Sequence, residues 1–391
     1  MSERVHPPEA ALWLALLSGQ WLPRRTAKAL LNAWCVRDQR RLGELCGLAP
    51  GEIVAAWGEP ALSNEQATAL AQALRDTAAA EATLARLTAT GVEVLTRVDA
   101  PYPEELAQHL PEEELPYLLF ALGALDQLAE TGLGVGGAPD SARYAPQDVA
   151  QLAAGLATWP VALVTGFERG AARDVALQVA RAGGRVTVLL PLGVDHAQPV
   201  IAPLRAALDE GRVLFLSPFQ PEQPYSERNA QARQALLSAL VDGLLLIEPD
   251  AGPASWPGAD ALLARGGVVV VLAQRDSPAV EGWAQAGALV LSSPAGVLTA
   301  LAPDERGEGE RGGEPGVMEA TDRLAGVEPI YFQDADEALT VLGRAGRVPD
   351  GLARRLRENG WFGGQDSEDI DVAADTPDED IDAEGEKEDG A

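Results

Sequence analysis

Three clusters of glycine, arginine and small polar residues follow apolar runs, and they are the residues best suited to binding an anion. The first cluster ends the stretch VALVTGFERG at residues 161–170, just before a helical pattern. Glycines permit a tight turn there, while the free N–H groups and dipole of a helix start attract an anion. The arginine adds a fork of donors that suits phosphate. The sequence therefore predicts a phosphate-binding turn.

The other two clusters, at residues 228–233 and 255–258, follow further apolar runs. Both are assigned to the same site, together with the glycines at 136–137. The predicted residues for binding nucleic acid or phosphate are Gly136, Gly137, Gly166, Arg169, Gly170, Arg173, Arg228, Asn229, Arg233, Ser255, Trp256 and Gly258. Because the carboxyl ends of parallel strands share one sheet edge, we expect these residues to meet there. Arg169 is the expected main cation, and Trp256 is placed to stack on a base. Structural roles stay open for the turn glycines, the helix arginines and the tryptophan.

Motifs for catalysis and metal binding are weak by comparison. The sequence has no GxSxG elbow, no Walker loop and no HExxH pair, and GLGVGG lacks the third glycine of a dinucleotide fingerprint. Asp195 and His196 are adjacent but have no candidate nucleophile, which predicts a surface histidine. Cys35 and Cys46 lack metal-ligand spacing with the three histidines and are predicted to be buried core thiols. We therefore predict no catalytic residue, no metal site and no cofactor.

The elements that must position the three clusters alternate along residues 131–300. Strand-like runs such as VALVTG, RVTVLLPL and GVVVVLAQ are separated by helical patterns. The runs are continuously apolar rather than alternating, which is typical of parallel strands buried on both faces. The pattern predicts an α/β fold, a Rossmann-like doubly wound sheet that is mostly parallel.

The remaining segments are assigned by composition and pattern. We predict a helical N-terminal domain at 1–90, a Rossmann-like domain at 91–301, a flexible linker at 302–327, a small, mainly helical C-terminal module at 328–364 and a disordered acidic tail at 365–391. Ser63 is predicted to cap the longest N-terminal helix, over residues 63–91.

Charge limits the partners that the chain can bind. The net charge is -29, and residues 366–391 carry -12 of it, so the remainder is still at -17. Overall acidity argues against strong non-specific binding to nucleic acid, and a basic patch must be local. The tail either keeps the chain soluble or competes with DNA for that patch. The chain shows neither a signal peptide nor an apolar run of ~20 residues, so we expect a cytoplasmic protein.

A series of motifs resembles one known family. PYPEEL with LPYLLFALGAL, GLGVGGAPDS, VTGFERGAARDVAL, AGGRVTVLLPLGVD, LDEGRVLFLSPFQPEQPY, RNAQARQALLSALVDGLLLIEPD and ASWPGADALL follow one another in the order typical of the DNA-processing protein A (DprA/Smf) family. The resemblance covers about residues 91–300. It implies a protein that binds single-stranded DNA in a basic pocket, dimerises and helps to load the RecA recombinase in transformation or recombination, without catalysis.

The chain departs from the family's pattern at the predicted site. Gly137-Ala138 replaces a Ser-Arg pair, Ala172 replaces an aspartate, and Arg233-Gln234-Ala235 aligns with an Arg-Asn-Arg segment. These departures keep two alternatives open. One is a sensor or hydrolase of nucleotide-derived ligands on the same Rossmann-like fold, such as one used in phage defence. The other is a degenerate paralogue that does not bind DNA.

Overall fold

A computed structural model of the chain describes residues 7–58, 61–130, 132–140 and 144–301. The predicted linker, C-terminal module and acidic tail lie outside the described residues and stay predictions. Within the described part, no helix is long and apolar enough to cross a membrane.

The N-terminal residues form helices, as predicted. The helices are α1 (Glu9–Leu17), α2 (Arg24–Leu31), α3 (Pro50–Trp57), α4 (Asn64–Arg75) and α5 (Ala78–Ala89), with a π-helical turn at Asn32–Arg37 and a 3-10 turn at Leu42–Leu45. Every residue of α1 from Ala11 to Leu17 is buried. A helix that is apolar on all sides belongs inside a core, so the other helices pack around α1.

The single helix predicted over residues 63–91 is wrong, because α4 and α5 are separate helices. The predicted cap is confirmed: the Gln66 backbone N–H donates to Ser63 Oγ at 3.1 Å, and the Ser63 N–H donates to Gln66 Oε1 at 3.1 Å. The break falls at Asp76, which leaves helical geometry at φ -98° and ψ 64°. Thr77 Oγ1 donates to Glu81 Oε1 at 2.5 Å. Short polar side chains compete with the helix for local hydrogen bonds, which explains a break at Asp-Thr.

The sheet confirms the predicted α/β class. Its strands are β1 (Val92–Thr96), β2 (Leu118–Gly123), β3 (Gly132–Gly137), β4 (Ala162–Thr165), β5 (Val186–Leu189), β6 (Val213–Ser217), β7 (Val241–Ile247), β8 (Val268–Leu272) and β9 (Leu289–Leu291). Among the described residues, nine strands form one sheet in the order β1-β2-β6-β5-β4-β3-β7-β8-β9. The pairs β1–β2 and β2–β6 are antiparallel, and all the others are parallel. Strands β4, β5 and β6 are buried throughout, which their continuous apolar sequences require.

The remaining helices lie between or after the strands of the sheet. They are α6 (Glu104–His109), α7 (Pro146–Leu156), α8 (Ala171–Arg181), α9 (Gln198–Ile201), α10 (Arg205–Asp209), α11 (Glu227–Leu240), α12 (Ala259–Ala264), α13 (Pro278–Gln285) and α14 (Pro294–Leu301). Residues 198–211 are divided into α9, a 3-10 turn and α10. Pro203 lies in that turn, where its ring and missing N–H interrupt helical hydrogen bonding. Helix α13 is not predicted from the sequence pattern.

The core lies on both faces of the sheet. Helices α7, α8 and α14 cover one face, where Val149, Val175 and Val297 are buried in one cluster. The N-terminal helices and α11 cover the other face, and the Trp13 and Tyr117 rings lie 6.2 Å apart in that second cluster. The N-terminal helices therefore share a core with the sheet. The domain boundary at residue 90 stays a prediction.

The two cysteines pack differently from each other. Cys35 is buried as predicted, and burial raises the pKa of its thiol to about 12. Cys46 is half-buried, so the prediction of a second buried thiol is wrong. It lies just after the 3-10 turn, where its thiol points to the Leu42 carbonyl at 3.9 Å at the margin of the core.

Candidate functional site

The predicted residues lie around the carboxyl ends of β3, β4 and β7. The chain moves from β3 to β4 on one side and later to β7 on the other side, so β3 and β7 form a topological switch point. Open α/β sheets bind ligands at such points. Two residues there, Phe167 and Glu248, hold positive φ angles of 56° and 45°. Positive φ is costly for side chains of this size, and such strain is concentrated at functional sites.

The turn after β4 is held against the end of β3. The Phe167 N–H donates to Thr165 Oγ1 at 3.0 Å, and the Ala171 N–H donates to the Ala138 carbonyl at 3.0 Å. Gly170 has a φ of +100°, and a Cβ there would lie 2.1 Å from the Ala138 oxygen. Only glycine fits this close approach. The predicted turn is therefore present, with its shape fixed by backbone contacts.

Arg233 reaches this turn from α11. Its side chain is 2% exposed and pairs with the carboxylate of Glu168, which is 37% exposed. A Cβ built on Gly166 would lie 1.0 Å from Arg233 Nη1, so the guanidinium occupies the space that the glycine leaves. Arg233 Nε and Nη1 are buried and have no hydrogen-bond acceptor among the described residues. Such unsatisfied buried donors are uncommon and call for an explanation, such as an acceptor supplied by a ligand.

The two other arginines of the turn and its helix have different surroundings. Arg169 is exposed and forms no ion pair with any described residue. The Arg173 guanidinium carbon lies 5.4 Å from the centre of the Phe167 ring, where a cation–π contact holds it. Arg169 is thus free to meet a ligand, and Arg173 supports the turn.

The start of α11 combines positioning residues with exposed ones. Ser226 Oγ accepts the Asn229 N–H at 3.1 Å, and the buried Asn229 amide bonds to Gln223 at 3.1 Å and to the Pro224 carbonyl at 3.2 Å. Asn229 therefore holds the preceding loop rather than facing solvent. Arg228, one residue earlier, is exposed.

Tyr225 and Glu168 were missed by sequence reasoning. Tyr225 is 52% exposed, and its hydroxyl donates to Glu227 at 2.8 Å, which raises the pKa of the phenol. The charge of Arg233 lowers the pKa of that phenol, and the charge of Glu168 raises it. The signal available in the sequence was an aromatic residue directly before the helix cap.

The third cluster builds a turn of its own. The Trp256 indole packs on β3, since a Cβ at Gly136 would lie 2.3 Å from its ring, and Trp256 Nε1 donates to Ser238 Oγ at 3.1 Å. Gly258 is left-handed at φ +84°, and Ser255 Oγ bonds to the carbonyl three residues before it at 2.7 Å. The indole is half-buried in the switch-point crevice, which agrees with the packing role that the sequence left open.

A close backbone contact joins the carboxyl ends of β3 and β7. Gly137 has a φ of +147°, and a Cβ there would lie 2.3 Å from the Ile247 oxygen. The Ala138 N–H donates to the same oxygen at 2.8 Å. The Gly137-Ala138 pair therefore closes the crevice with backbone and carries no cation.

Asp195 and His196 are each bonded to a different partner. His196 is exposed, as predicted, and its ring bonds to the Glu222 carbonyl at 2.9 Å, while Asp195 pairs with Arg86 at 2.6 Å. Within the described ranges, no group of three or more His, Cys, Asp or Glu is arranged to hold a metal ion.

Comparison with solved structures gives distant likenesses. DNA processing protein A from Streptococcus pneumoniae is 21% identical, with a TM-score of 0.47 over 64% of this chain and 86% of that one. DNA processing protein A from Helicobacter pylori, which is described as binding single-stranded DNA, is 19% identical, with a TM-score of 0.45 over 54% and 95%. The molybdenum cofactor carrier protein of Chlamydomonas reinhardtii is 20% identical, with a TM-score of 0.30 over 44% and 95%. No curated protein matches the chain.

A family model gives the decisive match. The model for DNA recombination-mediator protein A matches residues 93–300. This segment contains every strand of the sheet except for Val92, the first residue of β1. The matched segment is more than half of the 391 residues. The resemblance noted from the motifs is thereby confirmed, and the chain belongs to the DNA recombination-mediator protein A family.

Proposed function

We propose that this protein binds single-stranded DNA at the carboxyl edge of its sheet and delivers it to a RecA-type recombinase, in recombination or natural transformation. Phosphates bind to Arg169, to the guanidinium of Arg233 and to N–H groups of the turn after β4. Bases stack on the exposed ring of Tyr225. The proposed role is binding and delivery in the cytoplasm, without a catalytic step.

The observation that carries the proposal is the buried guanidinium of Arg233. A buried cation is costly unless its charge and its donors are satisfied. Glu168 supplies a countercharge, but Nε and Nη1 still have no acceptor. A phosphate supplies charge and several acceptor oxygens at once, and arginine binds it through a fork of donors. Family membership gives this anion site its ligand class.

The direct test is fluorescence anisotropy of a labelled oligo-dT of roughly 25 nucleotides over a salt series. We expect the logarithm of the association constant to fall linearly with the logarithm of the salt concentration. We also expect the affinity to fall about tenfold in Arg169→Ala. Arg181→Ala is the matched control, because Arg181 is an exposed arginine at the far end of α8. The proposal is contradicted if neither the full chain nor a chain ending at residue 364 binds the oligonucleotide in low salt.

Delivery to a recombinase needs its own assay. We expect the protein to speed filament formation by a RecA-type recombinase on DNA already coated with single-strand-binding protein. Arg169→Ala should lose this stimulation in proportion to its loss of affinity. Normal binding without any stimulation would restrict the function to DNA binding.

Two observations favour a second candidate function. Glu168 already neutralises Arg233, and the Trp256 indole fills the crevice beside β3. Both features suit a paralogue that no longer binds DNA, or a site retuned to a smaller nucleotide-derived ligand. A thermal-shift screen of nucleotides separates these cases, because a ligand that binds only the folded state raises the melting temperature.

A further inference from the structure

A second basic surface lies in a cleft between α2 and α11, on the sheet face that carries the N-terminal helices. Its volume is about 780 Å³. Cations line two of its sides: Arg24, Arg25 and Lys28 lie on α2, and Arg228 lies on α11. Glu113 and Glu114 lie at its margin, so cations outnumber carboxylates in the lining. This excess is local, since the whole chain has a net charge of -29.

The arginines of this cleft have no partner in the part of the chain that the structure describes. Arg24, Arg25 and Arg228 are exposed and form no ion pair or side-chain hydrogen bond with any described residue. Lys28 differs from them, because its Nζ donates to the Glu113 and Leu115 carbonyls at 3.0 and 2.7 Å. Lys28 therefore contributes a fixed charge, while the arginines keep all their donors for a ligand.

Helix stability does not explain where these arginines lie. Arg24 and Arg25 are the first two residues of α2, which has no acidic residue in its first turn, and Arg228 is the second residue of α11. The amino end of a helix carries a partial positive charge, so cations there are unfavourable. Arg75 and Arg181 lie in the last turns of α4 and α8, where cations are favoured. The cleft thus gathers positive charge against the preference of its helices.

The cleft adjoins the sheet-edge site through the start of α11. Arg228 lines the cleft from the first turn of α11, and Arg233, five residues later on the same helix, pairs with Glu168 at the sheet edge. The Phe219 ring, half-buried just after β6, also lines the cleft. The start of α11 therefore borders both the sheet-edge site and the cleft.

We infer that single-stranded DNA continues from the sheet edge into the cleft between α2 and α11, where Arg24, Arg25 and Arg228 bind its phosphates. The inference rests on the proposed function, because it extends the path of the same ligand. It gives the N-terminal helices a share in DNA binding and makes the site longer than the sheet edge alone. Glu113 and Glu114 repel the phosphates and keep the strand toward the arginines.

The test compares oligo-dT of about 6 and about 25 nucleotides. The first length is near the lower end, and the second beyond the upper end, of the roughly 4–16 nucleotides that an OB-fold module covers on a single strand. The variant Arg24→Gln/Arg25→Gln should weaken binding of the long oligonucleotide about tenfold and reduce its salt slope by about 1.4, the share of two phosphates. Binding of the short one should not change. Arg75→Gln/Arg181→Gln removes the same charge elsewhere and serves as the control.

A second variant tests the same path through a gain of affinity, which misfolding cannot imitate. Glu113→Gln/Glu114→Gln should raise affinity for the long oligonucleotide and leave the short one unchanged. If the Arg24/Arg25 variant matches its control at both lengths while Arg169→Ala weakens both, this inference fails and the proposed function stands. If the wild type binds neither oligonucleotide, both fail.

Discussion

The guanidinium of Arg233 shows how one side chain links stability to binding. It replaces the volume of a missing Cβ at Gly166, and its charge is balanced by Glu168. Breaking a buried ion pair costs about 3–5 kcal/mol, because the remaining charge is left uncompensated. The residues that build this site are therefore also expected to affect the free energy of unfolding.

Gly166→Ala tests the contact from the backbone side. The new Cβ would overlap Arg233 Nη1, so the guanidinium must move away from the turn. We expect a loss of about 3 kcal/mol in the free energy of unfolding, together with a loss of oligo-dT binding. Denaturant unfolding and anisotropy measure the two effects. Gly252→Ala is the control, because a Cβ at Gly252 has nothing within 4 Å; equal stability of the two variants would contradict the contact.

Glu168→Gln separates stability from affinity. Arg233 loses its countercharge, so we expect unfolding to become easier by about 1–2 kcal/mol, a value reduced from that of a fully buried pair by the exposure of Glu168. Affinity for oligo-dT should rise, because the phosphate no longer competes with a carboxylate. Glu222→Gln removes an exposed carboxylate that forms no ion pair with Arg233, and it should change neither quantity. A fall in affinity would show that Glu168 assists the ligand instead.

Cys35 gives a pH-dependent prediction. Burial raises the pKa of its thiol from an ordinary 9.0 to about 12. The unfolded chain then releases this proton first, so stability is complete below pH 9 and is lost as the pH rises toward 12. The wild type should lose about 1.4 kcal/mol per pH unit more than Cys35→Ala in this window. Parallel curves of unfolding free energy against pH for the two proteins would refute the shift.

At the scale of elements, the cap of α4 is the clearest local contribution. Ser63 and Gln66 satisfy each other's backbone N–H groups in a capping box. Ser63→Ala should lower the free energy of unfolding by about 1 kcal/mol in a denaturant melt. Thr68→Ala, at an exposed position of the same helix, should have a smaller effect. If the two substitutions cost the same, the capping box contributes little.

The alternation of strands and helices and the shared sheet edge could be predicted, because most strands have a continuous apolar run and most turns contain glycine or proline. The arrangement of side chains inside the site could not be predicted. Arg233 and Gly166 are far apart in the chain, and only tertiary packing decides that the arginine points inward while Arg228 points outward. The breaks at Asp76 and Pro203 were local signals that the helical pattern concealed.

At the scale of the whole molecule, the N-terminal helices and the sheet should unfold together. Trp13 of α1 and Tyr117 beside β2 lie in one buried cluster, so exposing one helix exposes the face of the sheet. In native-state hydrogen exchange, amides of α1 and β2 should share one opening free energy. Earlier exchange of α1 alone would instead mark an independent helical domain, with a boundary near residue 90.

The Glu168–Arg233 pair also has a kinetic consequence. A phosphate reaches Arg233 only after the carboxylate has swung away, so association includes an opening step that does not depend on DNA concentration. In stopped-flow mixing, the observed rate should level off at high DNA concentration in the wild type. In Glu168→Gln it should keep rising in proportion to concentration. If the proposed site binds DNA, the ion pair that stabilises the empty protein also limits how fast DNA is captured.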